Sequence, residues 1–173
     1  SLVVHTAGSL DMDILQNFSE NIGVFYPLQT FSFEKEINWK NTPLFIEANS
    51  DKNLKELTRL ANKISKKVTV CSSENRRNIH ISAVFVCNFA NHMYAIGEKL
   101  MQDANLSFDM LLPLINETSK KVNTVSPKLA QTGPAVRYDR NVIDKHLAAL
   151  SNELNLQEIY QLLTENIHKF ATE

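Results

Sequence analysis

"NIHISAVFVCNFANHMYAIG", Asn78–Gly97, runs for twenty residues without an Asp, Glu, Lys or Arg. A membrane span needs ~20 predominantly apolar residues. Asn78, His80, Ser82, Asn88, Asn91 and His92 interrupt this one, so the sequence predicts a helix of a protein interior and no membrane partner. At 100° per residue, Ile79, Ala83, Phe85, Val86, Phe89, Ala90, Met93 and Ile96 cover more than half of the cylinder. Arg77, His80, Asn88, Asn91 and His92 gather within an arc of ~120°. The helix is therefore expected to be buried on most sides and to carry one polar stripe.

That stripe is built from His and Asn rather than the Lys and Glu of a wet face, so it needs partners: a polar group left buried and unpaired costs ~1–3 kcal/mol. Two readings remain open. In one, the groups are satisfied by hydrogen bonds between helices or at a dimer interface. In the other, His80 and Asn88 point into a substrate cleft as proton donor and hydrogen-bonding anchor. Metal binding is not expected, because twelve residues of helix put His80 and His92 ~18 Å apart.

Upstream of this helix the chain alternates short β-type runs with polar helical ones. Leu2–Val4, Gly23–Tyr26, Leu44–Ala48 and Lys67–Cys71 are apolar or β-branched and end in turn residues. Between the last two, Ser50 is placed to cap a helix carrying Leu54, Leu57, Leu60, Ala61 and Ile64. Downstream of Ser73 no strand-like run remains. Four helices are predicted: Glu74–Ala104; one after Ser107, bent by Pro113; one capped by Asp139; and one opened by Asn155 and Glu158 in a capping-box spacing. The stretch from Ser126 to Asp139 reads as non-helical. The expected organisation is an α/β domain over residues 1–73 and an all-helical domain over 74–173.

In open α/β sheets ligands collect beyond the carboxyl ends of strands. Here those ends carry "HTAGS" (His5–Ser9), with an imidazole, two hydroxyls and a glycine, and "YPLQTFS" (Tyr26–Ser32), with a phenol, an amide and two hydroxyls. Each also suits turn chemistry. In "TGPAVRYD" (Thr132–Asp139), Arg137 either anchors an anionic substrate through its planar fork or pairs with Asp139 on the surface. No G-x-S-x-G elbow or Cys–His pattern supports a nucleophile.

Lys and Arg total 18 against 19 Asp and Glu, a net charge of −1, which leaves no excess positive charge for phosphate backbones; no nucleic-acid partner is expected. The 2 cysteines, Cys71 and Cys87, form no C-x-x-C, and no basic region followed by an apolar run opens the chain. Reduced thiols in a cytoplasmic protein are expected.

"VVHTAGS", "YPLQTFS", "IHISAVFVCNFANH" and "QTGPAVRYD", in that order, resemble the later part of a family of NADP oxidoreductases. Its members combine a Rossmann-like domain with a helical domain similar to the C-terminal domain of 6-phosphogluconate dehydrogenase, and are more distantly similar to pyrroline-5-carboxylate reductase. The resemblance implies a partial Rossmann-like sheet followed by a helical domain that forms a homodimer, with a small-molecule site in the cleft between the domains. It implies His80 and Asn88 as catalytic residues, Gln29, Thr30 and Arg137 on the substrate, and His5, Thr6 and Gly8 on the cofactor side. The cofactor would be NADP or NAD, and no metal is implied. Many relatives have His at the place of Tyr26 and Gly at the place of Tyr138. No G-x-G-x-x-G occurs in the chain, so the glycine-rich loop is expected upstream, in a protein ~90 residues longer. The alternative is a non-catalytic helical dimerisation module.

Overall fold

The computed structural model describes residues 1–32 and 36–173. Four strands lie side by side in chain order: β1 (Val3–His5), β2 (Ile22–Pro27), β3 (Leu44–Ala48) and β4 (Val68–Val70). β1 pairs with β2 and β3 with β4 in parallel, while β2 and β3 run antiparallel. The sheet is mixed, an α/β arrangement consistent with part of a Rossmann-like sheet followed by a helical region.

Register decides what each face carries, because side chains alternate along a strand. His5 is opposite Val24 and Val24 opposite Glu47, so these three share one face; Tyr26 and Phe45, two residues along their strands, share it too. The other face bears Leu44 and Ile46, which pack against Leu57 and Ala61 of helix α1 (Asp51–Ile64) to form the core cluster. Leu54, Leu57, Ala61 and Ile64 recur at helical spacing, and the Ser50 hydroxyl accepts from the Asn53 amide at the first turn. Burying each of the large aliphatic side chains contributes ~1.5–3 kcal/mol.

After β4, one continuous helix runs from Ser73 to Asp103. It comprises α2 (Ser73–Ala83), a six-residue π-helical segment (Val84–Phe89) and α3 (Ala90–Asp103), and ends at Ala104 with Asn105 in the left-handed region. The expected burial on most sides is not met within this chain: Ile81, Phe85, Val86 and Phe89 are at least half exposed. Its first turns contact the sheet through Ser73, Arg76 and His80. By length and composition the helix is apolar enough to cross a membrane, which for a single helix is weak evidence. Its first turn is tied to the sheet by an ion pair, and polar residues recur through its middle, a composition a bilayer interior penalises.

The compact units divide after Ala104, not near residue 73, where the strands end. The long helix therefore counts with the sheet that its first turns contact. The second unit, Asn105–Glu173, holds α4 (Leu112–Lys121), α5 (Pro127–Ala130), α6 (Pro134–Arg137), α7 (Arg140–Ala149) and α8 (Leu154–Thr172). Three local expectations are corrected here. Pro113 opens α4 instead of bending it, since the missing N–H is no loss in a first turn. The stretch expected to be non-helical holds two short turns, α5 and α6, each begun by a proline. Asn155 does not cap α8, which starts at Leu154 without a side-chain cap. Asp139 caps α7 as expected, accepting from the Val142 amide.

Candidate functional site

Where β1 and β2 end, the sheet face opposite the α1 core meets α2. Arg76 and His80 are four residues apart on α2 and so share its sheet-facing side. Arg76 is 1% exposed and spans three elements: Nη1 donates to Glu47 Oε2 of β3 at 2.5 Å, and Nη2 donates to the Leu10 carbonyl and to Ser73 Oγ. Glu47 also accepts from the Ser73 amide and hydroxyl, so it occupies the amino end of α2. Arg76 Nε is buried without a hydrogen-bond partner among the described residues.

One turn further on, His80 meets Tyr26. The hydroxyl of Tyr26 lies 3.3 Å from Nδ1 of His80, with the two rings edge to face. Burial raises the Tyr26 pKa, opposed by the Arg76 charge, so the phenol is protonated at neutral pH. Gly8 is buried against this pair: a Cβ there would lie 2.7 Å from His80 Nδ1 and 2.8 Å from Tyr26 Cζ. That contact is the physical reason for a glycine in the loop after β1.

Beside the pair opens a groove of about 800 Å³. Tyr26, Gln29, Thr30, His80, Ser82 and Asn88 supply polar groups to its lining; Leu28, Phe45, Ile79, Ala83 and Val86 supply most of the apolar surface. Asn88 and Cys87 enter from the π-helical segment, a local widening often found at functional sites. Among the described residues, His80 Nε2 and the Asn88 amide have no hydrogen-bond partner, whereas Gln29 Oε1 accepts from the Thr30 amide.

Four of the residues singled out from the sequence, Gln29, Thr30, His80 and Asn88, thus line one groove, and Gly8 abuts it through His80. The other three are not among the described lining residues. His5 accepts from the Ala7 amide and contacts the Asp11 carbonyl; its pKa is lowered, first by burial and then by the Arg76 charge. Thr6 is exposed after β1. Arg137 is exposed on α6 in the second unit and forms no ion pair with Asp139, whose carboxylate caps α7. Tyr138 next to it sits at φ 51°, the region glycine favours, held by stacking on His168 and by Arg140 over its ring. Sequence reasoning missed Glu47, Ser73 and Arg76. The available signal was a lone acid in an otherwise apolar strand and an arginine one turn before His80.

A charge-free groove with an imidazole, a phenol and amides can bind a small organic molecule and move a proton on it. No group of His, Cys, Asp and Glu suited to a metal ion occurs among the described residues.

Fold and site together define an α/β unit with a small-molecule groove, followed by a helical unit. Residues 42–167 match DUF2520, a domain of unknown function, and the chain belongs to that family. It is 48% identical, over 97% of its length and with a TM-score of 0.93, to a Bacteroides fragilis protein of known structure named "putative NADP oxidoreductase BF3122". The chain spans 65% of that protein. Protein TM1727 from Thermotoga maritima, 19% identical with a TM-score of 0.83, shares the fold over the whole of this chain and 70% of its own. No curated protein matches the chain.

Proposed function

We propose that the chain belongs to an NADP- or NAD-dependent oxidoreductase that acts on a small metabolite, with the groove under His80 as the substrate site. The 48% identity to the Bacteroides protein carries the reading of the reaction class. The meeting of His80, Tyr26 and Asn88 at one groove supports its location.

Carbonyl–alcohol conversion in either direction requires a proton to move at the substrate oxygen, and His80 is proposed to move it. When the Tyr26 hydroxyl donates to Nδ1, the neutral imidazole carries its proton on Nε2 and presents a donor; when Nδ1–H donates to the phenol oxygen, Nε2 presents an acceptor. Tyr26 acts as a positioning residue, fixing the ring and its tautomer. Asn88 hydrogen-bonds the substrate, assisted by Gln29 and Thr30.

The described residues do not fit a whole dinucleotide. Gly8 is committed to His80 and Tyr26, and Gly23 lies within β2, so neither sits in a phosphate-cradling loop. His5, Thr6 and Gly8 are proposed to border the cofactor, and its phosphates are proposed for the third of the Bacteroides protein this chain does not span. NADPH fluorescence tests the reading: in a protein that also carries the proposed phosphate-binding part, emission should change on mixing, and an unchanged signal would contradict it.

A second copy of the chain is the proposed occupant of the open side of the long helix. Phe85 and Phe89, in edge-to-face contact with each other and at least half exposed, favour a homodimer. A dimer without turnover is the competing reading. Alanine at His80 and Asn88 separates the two: lost turnover with an intact melting curve favours catalysis, and lost dimer favours a structural seam.

A further inference from the structure

The groove also bears on what kind of molecule it accepts. None of the thirteen described residues that line it is Lys, Arg, Asp or Glu. The two arginines nearest along α2 are committed elsewhere. Arg76 is 1% exposed and bound to Glu47, and Arg77 pairs with Asp11 at 3.1 Å on the surface. A carboxylate or phosphate in the groove would lie along its apolar wall without meeting a cation among the described residues, a cost that a neutral ligand avoids. Uncharged donors and acceptors are plentiful, and Leu28, Phe45, Ile79, Ala83 and Val86 offer a continuous apolar wall.

We propose that the substrate is an electrically neutral carbonyl compound or alcohol with an apolar body. Its oxygen meets His80 and Asn88, and its hydrocarbon part lies along Phe45, Ala83 and Val86. The size of the groove, about 800 Å³, suits a molecule larger than a short-chain metabolite. This rests on the oxidoreductase reading for the word "substrate" but on the groove alone for the ligand class. It differs from the reading of Arg137 as the anchor of an anionic substrate.

Three phenyl-bearing probes of different charge test it: benzylacetone, its near-isosteric anion hydrocinnamate, and the smaller phenyl phosphate, titrated into the chain and followed by amide NMR. The expected result is that benzylacetone shifts Gln29, Thr30 and Asn88 and binds at least about tenfold tighter than either anion. Val86→Arg, at a position 78% exposed and with its melting curve and oligomeric state checked against the parent, should narrow or invert that preference by adding a cation. Equal or tighter binding of an anion, shifts confined to other residues, no binding by any probe, or an unaltered preference in V86R would each overturn the proposal. The NADPH experiment is independent of these outcomes: a protein that responds to NADPH yet prefers the anions loses only the substrate class, and one that prefers the ketone yet ignores NADPH loses only the reaction.

Discussion

At the scale of single residues, Gly8 and His5 give the sharpest expectations. A methyl group at Gly8 would press on His80 and Tyr26, both hemmed in by neighbours. Gly8→Ala should destabilise the fold by ~1–3 kcal/mol, read as a lower melting temperature, and should weaken ligand binding by displacing the imidazole. His5 has its pKa lowered from the ordinary 6.5, so the unfolded chain takes up a proton before the folded chain does. The fold therefore loses stability as pH falls below 6.5, and above that value this group costs nothing. Comparing urea midpoints at neutral pH and about pH 5.5 should show a shallower fall in His5→Gln than in the parent. His80 and Asn88 were legible in the sequence because a His–Asn stripe on a charge-free helix is chemically unusual. Tyr26 was legible as a phenol at a strand end and as a departure from relatives, but its pairing with His80 was not, since that depends on a helix that begins 47 residues later.

At the scale of elements, the amino end of α2 is held to the sheet by Arg76, Glu47 and Ser73. Glu47→Gln would leave the Arg76 charge enclosed without its counter-ion. It should cost ~3–5 kcal/mol in denaturant unfolding, whereas the apolar pair Glu47→Leu with Arg76→Met should recover most of that loss. A result in which the double variant is as unstable as the single one would mean that the network contributes more than charge compensation. Strands and α1 could be read from local periodicity and the Ser50 cap, because each is decided within a few residues. The Glu47–Arg76 pair could not, because it joins elements 29 residues apart through sheet register. The errors at Pro113 and Asn155 share one cause: several neighbouring positions can start a helix, and tertiary packing selects among them.

For the whole molecule, the α/β-then-helical order followed from where β-type runs stop, but compactness could not be read the same way. The long helix was expected to be buried because its composition is apolar, yet Phe85, Val86 and Phe89 are open in a single copy. Composition reports that a surface should be covered and is silent on which chain covers it. Sedimentation should find a dimer for the parent, and Phe85→Glu with Phe89→Glu should give monomers that remain folded; a monomeric parent would contradict the dimer. The central claim, that His80 moves a proton on a substrate held in this groove, has a more direct test. In a protein that also carries the proposed phosphate-binding part, NADPH oxidation is followed over a panel of neutral ketones for the parent and for His80→Ala, alongside their melting curves. The account predicts a fall of ~10²–10⁴-fold in rate at an unchanged melting temperature, and an unchanged rate in the variant would contradict it.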